Sequence, residues 1–160
     1  EQAKWLLIGT IPLASPISAE ALRCSIKYAE EDGLYIALDI NWRSTFWDIN
    51  NSPNSAPNSL QKEKIINLCD KASLLKLAKE EAIWIFDSSD PVLISKSLSK
   101  IPFVVITDGP RPISWSFNNY FGQNNIFSPP KVIDTTGAGD AFTAGLLHKL
   151  LTFNSLNLQE

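Results

Sequence analysis

The chain has 160 residues and a mass of 17.7 kDa, and its 14 basic and 17 acidic side chains give a formal net charge of −3. Hydrophobic residues at 44% and charged residues at 19% are typical of a soluble globular protein and argue against disorder. The acidic balance and the lack of a membrane-length apolar run make nucleic acid and membranes unfavourable partners. We therefore expect a soluble, cytoplasmic protein.

The residues that are rare or absent limit the chemistry further. The sequence contains no methionine and begins at Glu1, so we expect a processed chain, an excised domain or part of a longer protein. Cys24 and Cys69 are far apart, and with His148 as the single histidine they leave too few ligands for a zinc site made of Cys and His. Two unclustered cysteines are typical of reduced, buried thiols in a cytosolic protein.

Short apolar runs alternate along the chain with segments of helical periodicity. Strands are predicted at about 5–11, 34–40, 73–77 and 103–106, and helices at about 19–31, 60–71, 79–86, 91–100 and 138–151. A polar loop is predicted at 50–59, and a small antiparallel excursion at 113–128. The spacing of the first strand, helix and strand matches a βαβ unit, which implies parallel pairing. The sequence therefore predicts an α/β fold.

Several residues indicate where the helices begin and end. Ser18 is the predicted N-cap of the first helix, and Gly33 lies just past its end. Asp90 followed by Pro91 is a second helix start, with Asp as the cap and Pro in the first turn. Trp42 and Trp47 are expected to serve packing.

The glycines are densest in Val132-Ile-Asp-Thr-Thr-Gly-Ala-Gly-Asp-Ala-Phe142, at the start of the last predicted helix. Glycines allow a ligand to approach the backbone, and the first N–H groups of a helix have no intrahelical acceptor. Together with the helix dipole, these donors favour a phosphate or another developing anion. Asp140 and Ala141 exclude a P-loop here, and Phe142 excludes the dinucleotide fingerprint. Taken alone, Asp140 could simply face the positive end of the helix dipole.

The segment Asp134-Thr-Thr-Gly-Ala-Gly-Asp140 resembles the C-terminal signature of the PfkB (ribokinase-like) carbohydrate kinase family. Other family motifs are matched in order by Leu38-Asp-Ile-Asn-Trp-Arg43, Leu75-Lys-Leu-Ala-Lys-Glu-Glu81 and Ile106-Thr-Asp-Gly109. The pattern is closest to fructokinase-like members. The resemblance implies part of a ribokinase-like three-layer α/β/α sandwich with a mostly parallel sheet. Residues 1–160 would then form the C-terminal part of one kinase domain, without its N-terminal substrate and lid half or its extreme C-terminus.

The resemblance implies ATP-dependent phosphorylation of a sugar hydroxyl. Asp140 would be the base that accepts the hydroxyl proton. Backbone N–H groups of Gly137, Ala138 and Gly139 would stabilise charge on the transferring phosphoryl group. The expected partner is a small-molecule sugar, and the resemblance also allows a homodimer of the full-length protein.

The remaining site residues are likewise assigned by resemblance. Thr107 and Gly109 would approach the ATP phosphates, and Asn41 and Arg43 would lie near phosphate or substrate. Glu81 would act on Mg²⁺ through its water shell. A site for a monovalent cation such as K⁺ would be bordered by Asp134 and Thr136.

A plainer interpretation exists for most of these residues. Asp39 and Asn41 could cap a strand end, Arg43 could form a surface ion pair, and Glu81 could be a solvated helix residue. Two residues depart from the family pattern: Ala78 replaces the Asn or Ser of the family's metal motif, and Asp108 places a carboxylate beside the predicted phosphate strand. Ala78 and the expected truncation favour the alternative of a catalytically inactive kinase-fold module that binds nucleotide or a protein partner, and the intact Gly-Ala-Gly-Asp140 opposes it.

Overall fold

A six-stranded sheet forms the centre of the protein in a computed structural model that describes residues 3–127 and 131–152. The strand order follows the chain order: β1 (Trp5–Gly9), β2 (Tyr35–Asp39), β3 (Leu74–Ala78), β4 (Phe103–Asp108), β5 (Arg111–Phe117) and β6 (Tyr120–Asn124). Strands β1 to β4 pair in parallel, and β5 and β6 extend the sheet as antiparallel neighbours. The predicted antiparallel excursion is therefore confirmed, although its last residue, 128, lies outside the described residues.

Helices connect the parallel strands and cover both faces of the sheet. They are α1 (Pro16–Glu31), α2 (Ser44–Trp47), α3 (Ser59–Cys69), α4 (Lys79–Phe86), α5 (Pro91–Ser97) and α6 (Ala138–Thr152), with a 3₁₀ turn at Ile11–Ala14. No helix in the described ranges is long and apolar enough to cross a lipid bilayer.

Two apolar cores, one on each face, make the fold a three-layer α/β/α arrangement. Successive side chains of a strand point to opposite faces, so Ile36 and Leu38 of β2 face one core and Ala37 faces the other. The first core contains buried residues of α1, α3, α4 and α5. The second is smaller and packs α6 over β2, β3 and β4. The α/β fold class and the mostly parallel sheet are confirmed.

Three local predictions need correction. Ser18 does not cap α1: the helix begins at Pro16 with Ser15 at the N-cap, since the fixed φ of proline suits the first helical turn. Helix α5 ends at Ser97 rather than near residue 100, because Leu98 is already extended. Cys24 is exposed, so only Cys69 is the buried thiol that was expected, and both cysteines are free.

The loop at 50–59 ends in a capping box that the sequence analysis did not identify. The side chain of Asn58 accepts a hydrogen bond from the backbone N–H of Gln61 at 3.0 Å, and the Gln61 side chain accepts one from the N–H of Asn58 at 2.8 Å. Two N–H groups that the helix itself cannot satisfy are thereby paired.

We predict that Asn58→Ala lowers the free energy of unfolding by about 1 kcal/mol, the usual cost of losing an N-cap. Urea denaturation would measure the change. Asn54→Ala is the matched control, because Asn54 is an exposed asparagine of the same loop and should change stability by less than about 0.5 kcal/mol. Equal effects of the two substitutions would contradict the capping role.

Candidate functional site

The carboxyl ends of the four parallel strands meet at one edge of the sheet, where ligands usually bind in open α/β folds. Most predicted site residues follow these ends directly. Asn41 and Arg43 come after β2, Glu81 lies in the first turn of α4 after β3, and Thr107 and Gly109 lie at the end of β4. The fold therefore places these separate motifs along a single edge.

An ion pair lies between β2 and β3 at this edge, on the face that packs against α6. Asp39 and Lys76 are direct neighbours in the strand register, and Lys76 Nζ lies 3.1 Å from Asp39 Oδ1. Both residues are less than 10% exposed. The apolar residues Ala37 and Leu74 precede them on the same face. The face therefore changes from apolar to ionic beneath the first turn of α6.

Thr143 connects this ion pair to α6. Its hydroxyl lies 3.0 Å from Asp39 Oδ2 and also 3.0 Å from the carbonyl oxygen of Gly139, one turn earlier in the helix. The side chain is buried, with 2% of the residue exposed. The start of α6 is thus held to the carboxyl end of β2 by a hydrogen bond to a charged group.

The loop before α6 contains a backbone conformation that favours glycine. Gly137 has a φ of 76°, a region that residues with a side chain rarely adopt. The Ala138 N–H donates to the Thr135 carbonyl at 3.1 Å, so this amide is already engaged. Among the described hydrogen bonds none uses the N–H of Gly137, Gly139 or Asp140. These three amides are free donors at the positive end of the helix, as an anion site requires.

Asp140 is exposed and faces a small cleft of ≈ 260 Å³. The cleft is lined by Leu7, Ile8, Gly9, Asp39, Asn41, Asp140 and Thr143. Asn41 has a φ of 42°, and asparagine tolerates this left-handed region better than most residues. Of the predicted site residues, the structure brings Asp140 and Asn41 together in this cleft.

Glu81 is buried rather than solvated, so the plainer interpretation of this residue is wrong. Its Oε1 accepts the backbone N–H of Trp42 and its Oε2 accepts that of Ala78, both at 2.7 Å. Burial raises the pKa of Glu81, while these two hydrogen bonds and the charge of Lys76 act in the opposite direction. The carboxylate thereby fixes the backbone just after Asn41.

Asp108, at the end of the predicted phosphate strand, is engaged in two ion pairs. Its carboxylate accepts hydrogen bonds from the Arg111 guanidinium and, at 3.0 Å, from Lys79 Nζ. The Arg111 hydrogen bond is the main reason that the pKa of Asp108 falls to about 2. The neighbouring Thr107 lies at a break in the β4–β5 register, and Gly109 opens the two-residue turn with a φ of 55°.

Arg43 and the pair of Asp134 and Thr136 remain outside the cleft. Arg43 is exposed and donates from Nη1 to the Trp42 carbonyl at 2.9 Å. Asp134 Oδ1 accepts both the backbone N–H and the hydroxyl of Thr136 at 2.8 Å, which lowers the pKa of Asp134. This turn stabilises the loop that leads to Gly137.

The described residues contain no group of three or more His, Cys, Asp or Glu side chains placed to hold a metal ion. Glu81 has both oxygens engaged by backbone N–H groups. Mg²⁺ in nucleotide sites usually keeps several waters and binds one or two carboxylates together with the substrate phosphates. Because Glu81 is buried and both of its oxygens are engaged, it would reach such an ion only through a water molecule.

Two residues of the site were not identified from the sequence, Lys76 and Thr143. Lys76 did carry a signal, because a lysine inside the apolar run Leu74-Leu-Lys-Leu77 cannot be buried without a partner. Thr143 carried none. The expectation that Trp42 and Trp47 serve packing is confirmed: Trp42 is buried in the larger core, and the two rings are 5.5 Å apart.

Comparisons with known proteins agree with this fold. The model of the pfkB family carbohydrate kinases matches residues 1–158. A probable chloroplastic fructokinase-6 of Arabidopsis thaliana is 30% identical over 99% of the chain and 39% of its own length. The chain therefore spans less than half the length of that relative. The present chain belongs to the pfkB family of carbohydrate kinases.

Two solved structures show the same fold with ligands present. The fructokinase of Vibrio cholerae O395 matches with a TM-score of 0.77 and 27% identity over 94% of this chain and 46% of that one, in a form with fructose, ADP and calcium ion bound. Aminoimidazole riboside kinase of Salmonella enterica, complexed with aminoimidazole riboside and an ATP analogue, matches with a TM-score of 0.75 and 25% identity. That match covers 96% of this chain and 50% of the kinase.

We predict that Glu81→Ala destabilises the protein by about 2–4 kcal/mol, because two backbone N–H groups at the site lose their acceptor. Chemical denaturation would measure the loss. Glu80→Ala is the matched control, since Glu80 is an exposed glutamate of the same helical turn. A loss for Glu81→Ala no larger than for Glu80→Ala would contradict the anchoring role.

A second prediction concerns pH. The pKa of Asp108 is lowered in the folded protein to about 2, from ~3.9 in an unfolded chain. Its ion pairs therefore stabilise the fold fully above pH ~4–5, and this contribution disappears as the pH falls through 2. Asp108→Asn should lower the melting temperature at pH 7, and the difference from wild type should shrink as the pH falls from 4 toward 2. A difference that stays constant with pH would contradict the assignment.

Proposed function

We propose that this chain is the C-terminal part of a carbohydrate kinase domain, and that the whole protein transfers the terminal phosphoryl group of ATP to a sugar hydroxyl. The observation that carries the proposal is the start of α6. There the free amides of Gly139 and Asp140 lie beside a cleft that Asp140 shares with Asn41. Family membership supports the reaction class, and the fructokinase relatives support fructose or a similar sugar as the acceptor.

Asp140 is the proposed base. The sugar oxygen forms a bond to the γ-phosphorus, the bond from that phosphorus to the β–γ bridging oxygen breaks, and ADP leaves. The hydroxyl proton passes to the Asp140 carboxylate late in this process, because a carboxylate is too weak a base to ionise an alcohol beforehand. Such timing suits the loose transition state of phosphoryl transfer, in which positioning and charge stabilisation dominate.

The proposed phosphate contacts come from the loop and from the end of β4. The Gly137–Gly139 loop contributes backbone amides. The Gly139 N–H has no acceptor among the described residues, whereas the Ala138 N–H already donates to the Thr135 carbonyl within the loop. Thr107 and Gly109 are assigned to the ATP phosphates. The exposed guanidinium of Arg43, which donates to the Trp42 carbonyl, is assigned to substrate or phosphate. Asn41 is assigned to the cleft that it lines.

Metal ions are part of the same proposal. When bound with ATP, Mg²⁺ would neutralise charge on the phosphates, and Glu81 would contact it through water. Asp134 and Thr136 would border a K⁺ site on the loop before α6. The homodimer and the cytoplasmic location remain predictions from the resemblance and the composition.

One observation favours a second candidate function. The side chain of Ala78 cannot bind a metal ion or its water shell. This favours a catalytically inactive kinase-fold module that binds nucleotide or a protein partner. Calorimetry with ATP and Mg²⁺, together with a sugar kinase assay on the complete protein, separates the two candidates. Nucleotide binding without turnover would favour the module, and turnover would exclude it.

We predict that Asp140→Asn in the complete protein lowers kcat by about 10²–10⁴-fold, the usual contribution of a positioned base. Nucleotide affinity should change little, because the backbone donors remain. Asp32→Asn is the matched control: Asp32 is an exposed aspartate that precedes β2 and therefore lies at the opposite edge of the sheet. Near-normal kcat for Asp140→Asn would overturn the assigned role.

A further inference from the structure

Lys76 is a buried charge that packing does not require. It occupies the sheet face on which Leu74 and Val105 contact the apolar side of α6. Burying an ammonium and a carboxylate is costly, and replacing such a pair by apolar residues is often neutral or stabilising. The Lys76–Asp39 pair is therefore weak evidence of stabilisation, and its location beneath the start of α6 suggests another role.

The Lys76 ammonium lies directly against Gly139. A Cβ atom built on Gly139 would be 3.2 Å from Lys76 Nζ, closer than most side-chain contacts. Gly139, unlike Gly137, does not have a positive φ. A side chain at position 139 would therefore crowd the lysine beneath it, whereas at 137 the backbone conformation itself favours glycine.

The partner of Lys76 holds the same helical turn from its other end. Asp39 Oδ1 binds Lys76, and Asp39 Oδ2 accepts the hydroxyl of Thr143, which also contacts the Gly139 carbonyl. Lys76 contacts the turn at Gly139, and Asp39 contacts it at Thr143. Asp140 lies between these two points, so the ion pair determines where its backbone sits relative to the cleft.

The charge of Lys76 also acts on the loop. A cation beside the positive end of a helix is unfavourable by itself. An anion bound at the free amides of Gly139 and Asp140 would relieve that repulsion. The arrangement is therefore better suited to a loop occupied by phosphate than to an empty one.

We propose that Lys76 is a positioning residue for phosphoryl transfer, which sets the position of the Gly137–Asp140 loop through Gly139 and through Asp39 and Thr143. This inference rests on the proposed kinase function. Lys76 thereby has a task distinct from those of Asp140 and Glu81. It holds the proposed base and the backbone amides that would bind phosphate in position beside the cleft.

The test is an ATP- and fructose-dependent kinase assay on the complete protein. It compares four forms: wild type, Asp39→Asn, Lys76→Met and the double variant. A displacement of catalytic groups by about 1 Å can cost ~10²-fold, so Lys76→Met should lower kcat by about 10–100-fold and change the KM for fructose much less. Lys96→Met, at an exposed lysine of α5 on the opposite face, is the control and should keep wild-type kcat.

The double variant separates positioning from simple charge compensation. If Lys76 only neutralises Asp39, then adding Lys76→Met to Asp39→Asn should leave kcat unchanged or raise it, and that result would overturn the inference. If Lys76 positions the loop itself, the second substitution should lower kcat further, even where the melting temperature recovers.

Amide hydrogen exchange provides a readout that does not depend on activity. In Lys76→Met the amides of Ala141, Phe142 and Thr143, which close the first turn of α6, should exchange at least about tenfold faster, beyond any change in β3 and β4. Unchanged exchange there would overturn the inference even in an active kinase. A wild-type protein without kinase activity would instead overturn the proposed function, and faster exchange in Lys76→Met would then still support the positioning of the loop.

Discussion

The site depends on one buried ion pair, between Asp39 and Lys76, at the carboxyl edge of the sheet. It joins β2 to β3, and through Thr143 it joins both strands to α6. The smaller core places α6 over the sheet by apolar contacts, but apolar contacts are not directional. Hydrogen bonds to a fixed carboxylate are directional, so they define the position of the first turn and hence of Asp140.

The strands and helices were largely predictable because each has its own periodicity and its own start and end signals. Strand β3 and helix α4 lie within one residue of their predicted positions. Gly33 has the positive φ expected of a residue that follows a helix. At the start of α1 two signals competed, a serine and a proline two residues before it. A serine inside the first turn of α1 was preferred to the proline that actually begins the helix.

The site was predictable where its residues are neighbours in sequence, as in the loop from Asp134 to Asp140. It was not predictable where contacts join distant segments. Lys76 meets Asp39 across 37 positions, and Thr143 meets Asp39 across 104. A threonine inside a helix has no local pattern that indicates such a partner, because its usual hydrogen bond is to the carbonyl one turn earlier, which Thr143 also makes.

Ala78 also has a different significance once the contacts are known. Its missing side-chain polar group removes a potential metal ligand, but its backbone N–H still pairs with Glu81 Oε2. Glu81 therefore keeps both of its anchors, to Ala78 and to Trp42, and the backbone beside Asn41 stays in place. An alanine at this position would weaken the proposed metal network, but it leaves intact the edge of the sheet that supports the cleft.

The acidic residues at this edge are compatible with a phosphate only because they are paired. Asp39 is compensated by Lys76, and Asp108 by Arg111 and Lys79. Without these cations, two carboxylates at the ends of β2 and β4 would oppose an anion at the start of α6. With them, the free amides and the helix dipole determine the local potential, and the cleft is left with Asp140 as its exposed carboxylate. The proposed role of Asp140 as a base beside bound phosphate would require this division of charge.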